Sequence, residues 1–154
     1  MARNPIPIAK VMISDEEIEA VAEVLRSGHL RQGRKTEEFE KAFAEKVGAK
    51  YAIAVSSGTA ALHIAYLASI ESGAEVIVPS FTHISTASMV CFAGCKPVFC
   101  DVDPRTFTLD IEDARRRLTE KTKAIAPVHL FGNACDIDKV IKFAEEHGLK
   151  IIWD

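Results

Sequence analysis

Residues 75–100 read EVIVPSFTHISTASMVCFAGCKPVFC, and this stretch decides the fold. Residues 75–78 (EVIV) are a short run of strand length, apolar after Glu75, and 97–100 (PVFC) are a second. Between them, 84–92 read as a helix. Working outward, the same alternation continues in both directions. Upstream, 51–55 (YAIAV) is a short apolar strand and 58–69 a helix. Downstream come a loop, a helix near 111–118, a strand at 124–128, a helix at 137–147 and a last strand at 149–153. Continuous apolar runs alternating with amphipathic helices indicate a parallel sheet covered on both faces. The expected fold is α/β, three-layer αβα, with a mostly parallel sheet.

The first 48 residues are of a different kind and form a segment of their own, with 49–154 as the α/β part. The start, up to Ile13, carries two prolines and reads as extended. Ser14 followed three residues later by Glu17 has the form of a capping box, and Ile18, Val21, Val24 and Leu25 keep the helical period after it. Gly28 is the expected stop. A second helix is expected over 36–47, with Phe39, Phe43 and Val47 on one face and Gly48 at its end.

Composition bounds the function. The chain has 154 residues, 48% of them hydrophobic and 27% charged, so it can bury a core of ordinary globular kind. Acidic residues exceed basic ones, 22 to 19, and no basic stripe is present, which speaks against a nucleic-acid partner. Arg115-Arg116-Arg117 reads as a solvated helix face. No apolar stretch is long enough to span a bilayer, and the N-terminus lacks the apolar core of a signal peptide, so a cytoplasmic protein is expected. Cys91, Cys95, Cys100 and Cys135 match no zinc-binding spacing, so no metal site is expected. The first three sit among apolar residues and read as reduced core thiols.

In open α/β sheets, ligands bind beyond the carboxyl ends of the strands. The polar residues just after each predicted strand are therefore the candidates. Ser57, Gly58 and Thr59 join a strand directly to a helix, whose first amides lack internal partners and whose dipole favours an anion. The segment reads either as a phosphate cup or as an ordinary serine cap with a glycine for tight packing. It has neither the Walker-loop pattern nor the dinucleotide-binding glycine pattern. His83 opens the next helix. Its flat ring is placed to stack on a flat ligand, or simply to start the helix. Asp154, after Ile151-Ile152-Trp153, is either a carboxylate paired with a protonated ring nitrogen or a frayed, solvated residue. His129 either lines the site or bonds loop backbone. Asp101 and Asp103, with Pro104 after them, read as a turn rather than as an acid/base pair, and His63 as packing within a helix.

Taken in register, SGTAALH (57–63), EVIVPSFT (75–82), KPVF-x-DVD (96–103), TKAI-x-PVHLFG (122–132) and II-x-D (151–154) resemble one family. It is the DegT/StrS family of sugar aminotransferases, within fold type I of the pyridoxal 5'-phosphate (PLP) enzymes. The resemblance covers nearly the whole chain. It implies the large PLP-binding domain of that fold, with Ser57, Gly58 and Thr59 at the cofactor phosphate. His83 matches the position whose side chain stacks on the pyridine ring. Asp154 matches the aspartate that pairs with the pyridine nitrogen. The implied reaction moves an amino group from an amino-acid donor, usually glutamate, to a keto group of a nucleotide-linked sugar. A dehydratase of the same family, or a non-catalytic partner, are the alternatives. The family's Schiff-base lysine falls after the position of Asp154, and none of Lys96, Lys123 or Lys150 stands in its place. The 154-residue chain alone is accordingly expected to be inactive, and to form a homo-oligomer, a dimer in relatives, through uncovered strand edges.

Overall fold

The computed structural model describes residues 6, 7 and 9–154. Residues 6, 7 and 9–13 form neither helix nor strand, and Pro5, one of the two prolines near the start, lies outside the described residues. The chain divides into two compact units, Met1–Ala54 and Val55–Asp154.

The first unit carries α1 (Asp15–Ser27) and α2 (Arg34–Val47). The capping box forms as expected. The Ser14 amide donates to Glu17 Oε2 at 2.6 Å, and the Ser14 hydroxyl accepts from the Glu17 amide at 3.5 Å. Gly28 ends α1 and Gly48 ends α2. The expected strand over 51–55 does not form. Tyr51 and Ile53 are 75% and 74% exposed, and the Ala54 amide donates to Glu40 Oε1 at 2.8 Å instead of to a neighbouring strand. A continuous apolar run suits a strand, but a strand also needs a partner for its amides.

The second unit runs α3 (Gly58–Ser69), β1 (Glu75–Pro79), α4 (Ile84–Phe92), β2 (Lys96–Cys100), α5 (Ile111–Arg116), β3 (Thr122–Ile125), a short 3-10 turn (Leu130–Gly132), α6 (Ile137–His147) and β4 (Lys150–Ile151). The four strands are all parallel, in the order β2-β1-β3-β4. The last two are shorter than the apolar runs suggest, because Pro127 has no amide to give. Pairing nonetheless continues past them. The amides of Ala126, Ile152 and Asp154 donate to the carbonyls of Ile77, Ile125 and Pro127 at 2.8, 3.0 and 3.0 Å.

Side chains alternate across the sheet as the pleat requires. Val76, Val78, Ala124, Ala126 and Ile152 pack with Leu62 and Tyr66 of α3 and Ala87 and Val90 of α4. Ile77, Ile125 and Cys100 pack with Ala114 of α5 and Phe143 and Ala144 of α6 on the opposite face. The result is three layers, with α3 and α4 on one side and α5 and α6 on the other. Val76, Ile77 and Val78 are wholly buried, and each such side chain stabilises the fold by about 1.5–3 kcal/mol.

One reading of a single residue is corrected. Cys91 is exposed on α4, while Cys95, Cys100 and Cys135 are buried; all four are free thiols. The period of a nine-residue helix turns Cys91 outward although its neighbour Val90 is fully buried. The three arginines are exposed, as expected of a solvated face, and each also pairs with a carboxylate. Arg116 and Arg117 bind Asp113 Oδ1 and Oδ2 at 3.0 and 3.1 Å, and Arg115 reaches Glu146 at 3.2 Å. Asp113 is buried and also accepts the Asp101 amide at 2.8 Å, so the two cations offset a carboxylate that would otherwise be costly to bury.

Candidate active site

Parallel pairing sends the carboxyl ends of all four strands to one edge of the sheet. The chain leaves β1 for β2 on one side, then crosses back to β3 on the other. The connections part to opposite faces between β1 and β3, and such a switch point opens a crevice at the carboxyl edge. Helix α3 leads into β1 through a short loop, so the two run in opposite directions. At 12 residues α3 is roughly 18 Å long, and β1 is about 16 Å. The first turn of α3, with Ser57, Gly58 and Thr59, therefore lies at that same edge.

Ser57 is the N-cap of α3, and its hydroxyl oxygen accepts the Ala60 amide at 3.2 Å. The ordinary cap is thus realised, and it satisfies only one of the helix's first amides. Those of Gly58 and Thr59, the first two of α3, have no partner among the described residues. Nothing lies within 4 Å of the place a Cβ would take on Gly58, so that side of the turn is uncrowded. The structure offers two amide donors, the Thr59 hydroxyl and the Ser57 hydroxyl hydrogen, all in the positive field of a helix terminus.

Asp154 lies across the same edge. Ile152 faces the α3–α4 layer, and the residue two further on faces the same way. Asp154 is exposed but not frayed. Its amide donates to the Pro127 carbonyl and its carbonyl accepts the His129 amide, each at 3.0 Å. Its Oδ2 accepts a hydrogen bond from the hydroxyl of Thr86 in the first turn of α4. Thr86 is fully buried; its hydroxyl also meets Thr82 Oγ1 at 2.9 Å, and its carbonyl accepts the Tyr66 hydroxyl at 3.0 Å. Burial, and secondarily the negative charge of Asp154, raises the Tyr66 phenol above its ordinary range, so it stays a neutral donor.

His83 is the N-cap of α4 and is exposed. Its Nδ1 accepts the Ser85 amide at 3.2 Å and meets the Ser85 hydroxyl at 2.7 Å. As an acceptor, Nδ1 carries no proton, so the ring hydrogen sits on Nε2. The ring is thereby oriented, with its surface left open. His129 has the loop-bonding role. Its Nδ1 accepts the Cys135 amide at 3.3 Å, and its ring stacks on Trp153 at 5.2 Å between centroids and 9° between planes. It braces the backbone of Asp154.

The structure thus brings Ser57, Gly58, Thr59, His83 and Asp154 to one edge and one face of the sheet. Asp103 takes the turn role, with Oδ1 accepting the Arg105 amide at 2.7 Å, and His63 packs edge-on against Phe92. Lys96 and Lys150 open their strands, and Lys121 and Lys123 flank the first residue of β3, so all four stand toward the opposite edge. An open concavity of about 560 Å³, lined in part by Asp103, Asp110, Asp136 and Lys139, includes none of the five. Sequence reasoning reached Thr82 only as a polar residue at a strand end, and missed Thr86 and Tyr66. The i,i+4 spacing of two threonines around the start of α4 was the available signal.

A family model, the DegT/DnrJ/EryC1/StrS aminotransferase family, matches residues 11–154. The chain belongs to this family. It is 50% identical over 123 residues to the GDP-perosamine synthase of Caulobacter vibrioides, covering 79% of this chain and 33% of that protein. An aminotransferase structure from Psychrobacter cryohalolentis superposes with a TM-score of 0.88 at 40% identity, over 93% of this chain and 37% of that one. The GDP-4-keto-6-deoxy-D-mannose-3-dehydratase of E. coli, solved with hydrated PLP bound, gives 0.88 at 31% identity, over 96% and 40%. The chain spans between a third and two fifths of the length of these relatives. Among the described residues no helix is long and apolar enough to cross a membrane, and no group of three or more His, Cys, Asp or Glu is arranged around a metal position.

Proposed function

We propose that residues 55–154 bind pyridoxal 5'-phosphate within an enzyme that transfers an amino group from an amino acid, glutamate, to a keto group of a nucleotide-linked sugar. The observation that carries this reading is the shared edge: open helix amides at Gly58 and Thr59, and an anchored carboxylate at Asp154 on the same face of the sheet. The residues present fit the cofactor. The Gly58 and Thr59 amides and the Ser57 and Thr59 hydroxyls receive the phosphate. Asp154 would hold the pyridine nitrogen, and the ring of His83, oriented by Ser85, would stack on the pyridine plane.

When bound, the cofactor supplies an electron sink for the carbon that loses its proton. The contribution of this chain is to hold that sink in its acceptor form. A carboxylate beside the ring nitrogen favours the protonated nitrogen, as any opposite charge does. The phosphate contacts fix the ring against translation, and His83 against tilting. The lysine that handles the proton at the reacting carbon belongs, on this reading, to residues outside 1–154. The full protein works as a cytoplasmic homodimer. Exposed apolar rows, Ile18, Val21 and Leu25 on α1 and Phe39 and Phe43 on α2, support association.

Two results test the proposal. Pyridoxamine phosphate, which makes no covalent link, binds the protein, and Asp154→Asn and Gly58→Pro each weaken that binding about tenfold or more. The 154-residue chain alone shows no transamination. Unchanged binding in both variants would sink the site assignment. Turnover by the short chain, with one lysine trapped by borohydride, would sink the division of labour. The match to a dehydratase keeps a second reaction in view, elimination at the sugar rather than transfer, and product analysis with a keto sugar separates the two.

A further inference from the structure

We infer that Thr86 is a positioning residue for Asp154, and that Thr82, Thr86 and Asp154 form a one-way hydroxyl relay that fixes which carboxylate oxygen meets the cofactor ring. The inference rests on the reading of Asp154 as the ring-nitrogen partner. Thr86 is fully buried, in the first turn of α4, and its hydroxyl touches two oxygens, Asp154 Oδ2 and Thr82 Oγ1. A hydroxyl has one hydrogen to give and two lone pairs to accept with. An ionised carboxylate only accepts, so the Thr86 hydrogen goes to Asp154. Thr82 must then be the donor in the other bond, at 2.9 Å. The order is Thr82 to Thr86 to Asp154, each bond polarising the next. The backbone of Thr86 is itself held, through the Tyr66 hydroxyl at 3.0 Å on its carbonyl.

One consequence follows for the carboxylate. Oδ2 is occupied, while Oδ1 accepts no hydrogen bond among the described residues, so one defined oxygen is left free. Held in place, the carboxylate presents that oxygen to the ring nitrogen and favours its protonated form, as any opposite charge does. Without Thr86, the exposed side chain is free to turn into water, away from the ring, and the protonated share of the ring falls.

The test uses the holo protein with pyridoxamine phosphate labelled with nitrogen-15 in the ring, and reads the nitrogen resonance against pH together with the dissociation constant. Thr86→Val is expected to move the resonance toward the unprotonated form at a given pH and to weaken binding about tenfold, the loss of one hydrogen bond to a charged group. Thr86→Ser restores both, because it keeps the hydroxyl. Thr82→Val shifts the resonance the same way, but less. Asp154→Asn separates the layers. If it leaves the resonance unmoved, the assignment of Asp154 itself fails. If it moves the resonance and Thr86→Val, shown to be folded by circular dichroism, does not, the relay alone is overturned.

Discussion

At the scale of single residues, the site rests on what each polar group touches. Asp154 was legible in the sequence because it follows an apolar run, and strand ends point to the ligand edge. Its anchor was not legible. Thr86 sits 68 residues earlier, and only packing of α4 against the sheet joins them. The same limit applies to thiols. Apolar neighbours in sequence do not say which way a helix turns, so Cys91 was grouped with buried cysteines although it is exposed. Native alkylation followed by mass spectrometry is expected to label Cys91 and to spare Cys95, Cys100 and Cys135. The Cys100 thiol is protected twice, by burial and because burial, with Asp113 nearby, pushes its pKa up to about 12. Prompt labelling of Cys100 in the folded protein would contradict its place in the core. Tyr66→Phe should lower stability by about 1 kcal/mol, since the buried Thr86 carbonyl loses its side-chain donor, and a urea midpoint reads this directly.

At the scale of elements, the helix boundaries were the most legible features. Gly58–Ser69, Ile84–Phe92 and Ile137–His147 begin and end where apolar period, caps and glycines place them. Strands were less so, because a strand needs a neighbour that its own residues do not specify. The segment 51–55 has the right composition and no partner; the run at 124–128 loses its ladder at proline. The turn between α4 and β2 depends on Gly94. Its φ is +75°, a Cβ there would lie 2.6 Å from Ser72 Oγ, and its carbonyl accepts the Gly73 amide at 2.8 Å. Gly94→Ala is expected to cost more than about 1 kcal/mol by denaturant titration, from left-handed strain alone. Helix α5 carries a pH signature. The Asp101 amide, then Arg117 and Arg116, hold the Asp113 carboxyl below its usual range. A depressed native value means the contribution is full above the unfolded value, about 3.9, and is lost as pH falls through the lower native one. Asp113→Asn should therefore be less stable than the parent near neutrality, and the gap should close as pH falls below about 4. A gap constant from neutrality to acid would show that these hydrogen bonds contribute nothing specific to the charged form.

At the scale of the whole molecule, alternation of apolar runs and helices was enough to give the parallel three-layer architecture. Strand order was not, because the crossover from β2 back past β1 to β3 leaves no local mark in the chain. That crossover is what makes a site. It opens the edge between β1 and β3, and it puts the first turn of α3 and the residue after Trp153 on one face, about a hundred positions apart in sequence. The proposed site is that meeting of a phosphate cradle with an anchored carboxylate. The most direct measurement is the electron density of pyridoxamine phosphate bound to the crystalline protein. The phosphate oxygens should lie about 3 Å from the Gly58 and Thr59 amides while the ring nitrogen lies about 3 Å from Asp154 Oδ1. A bound cofactor whose phosphate sits away from α3, or whose ring nitrogen faces any group other than Asp154, would contradict it.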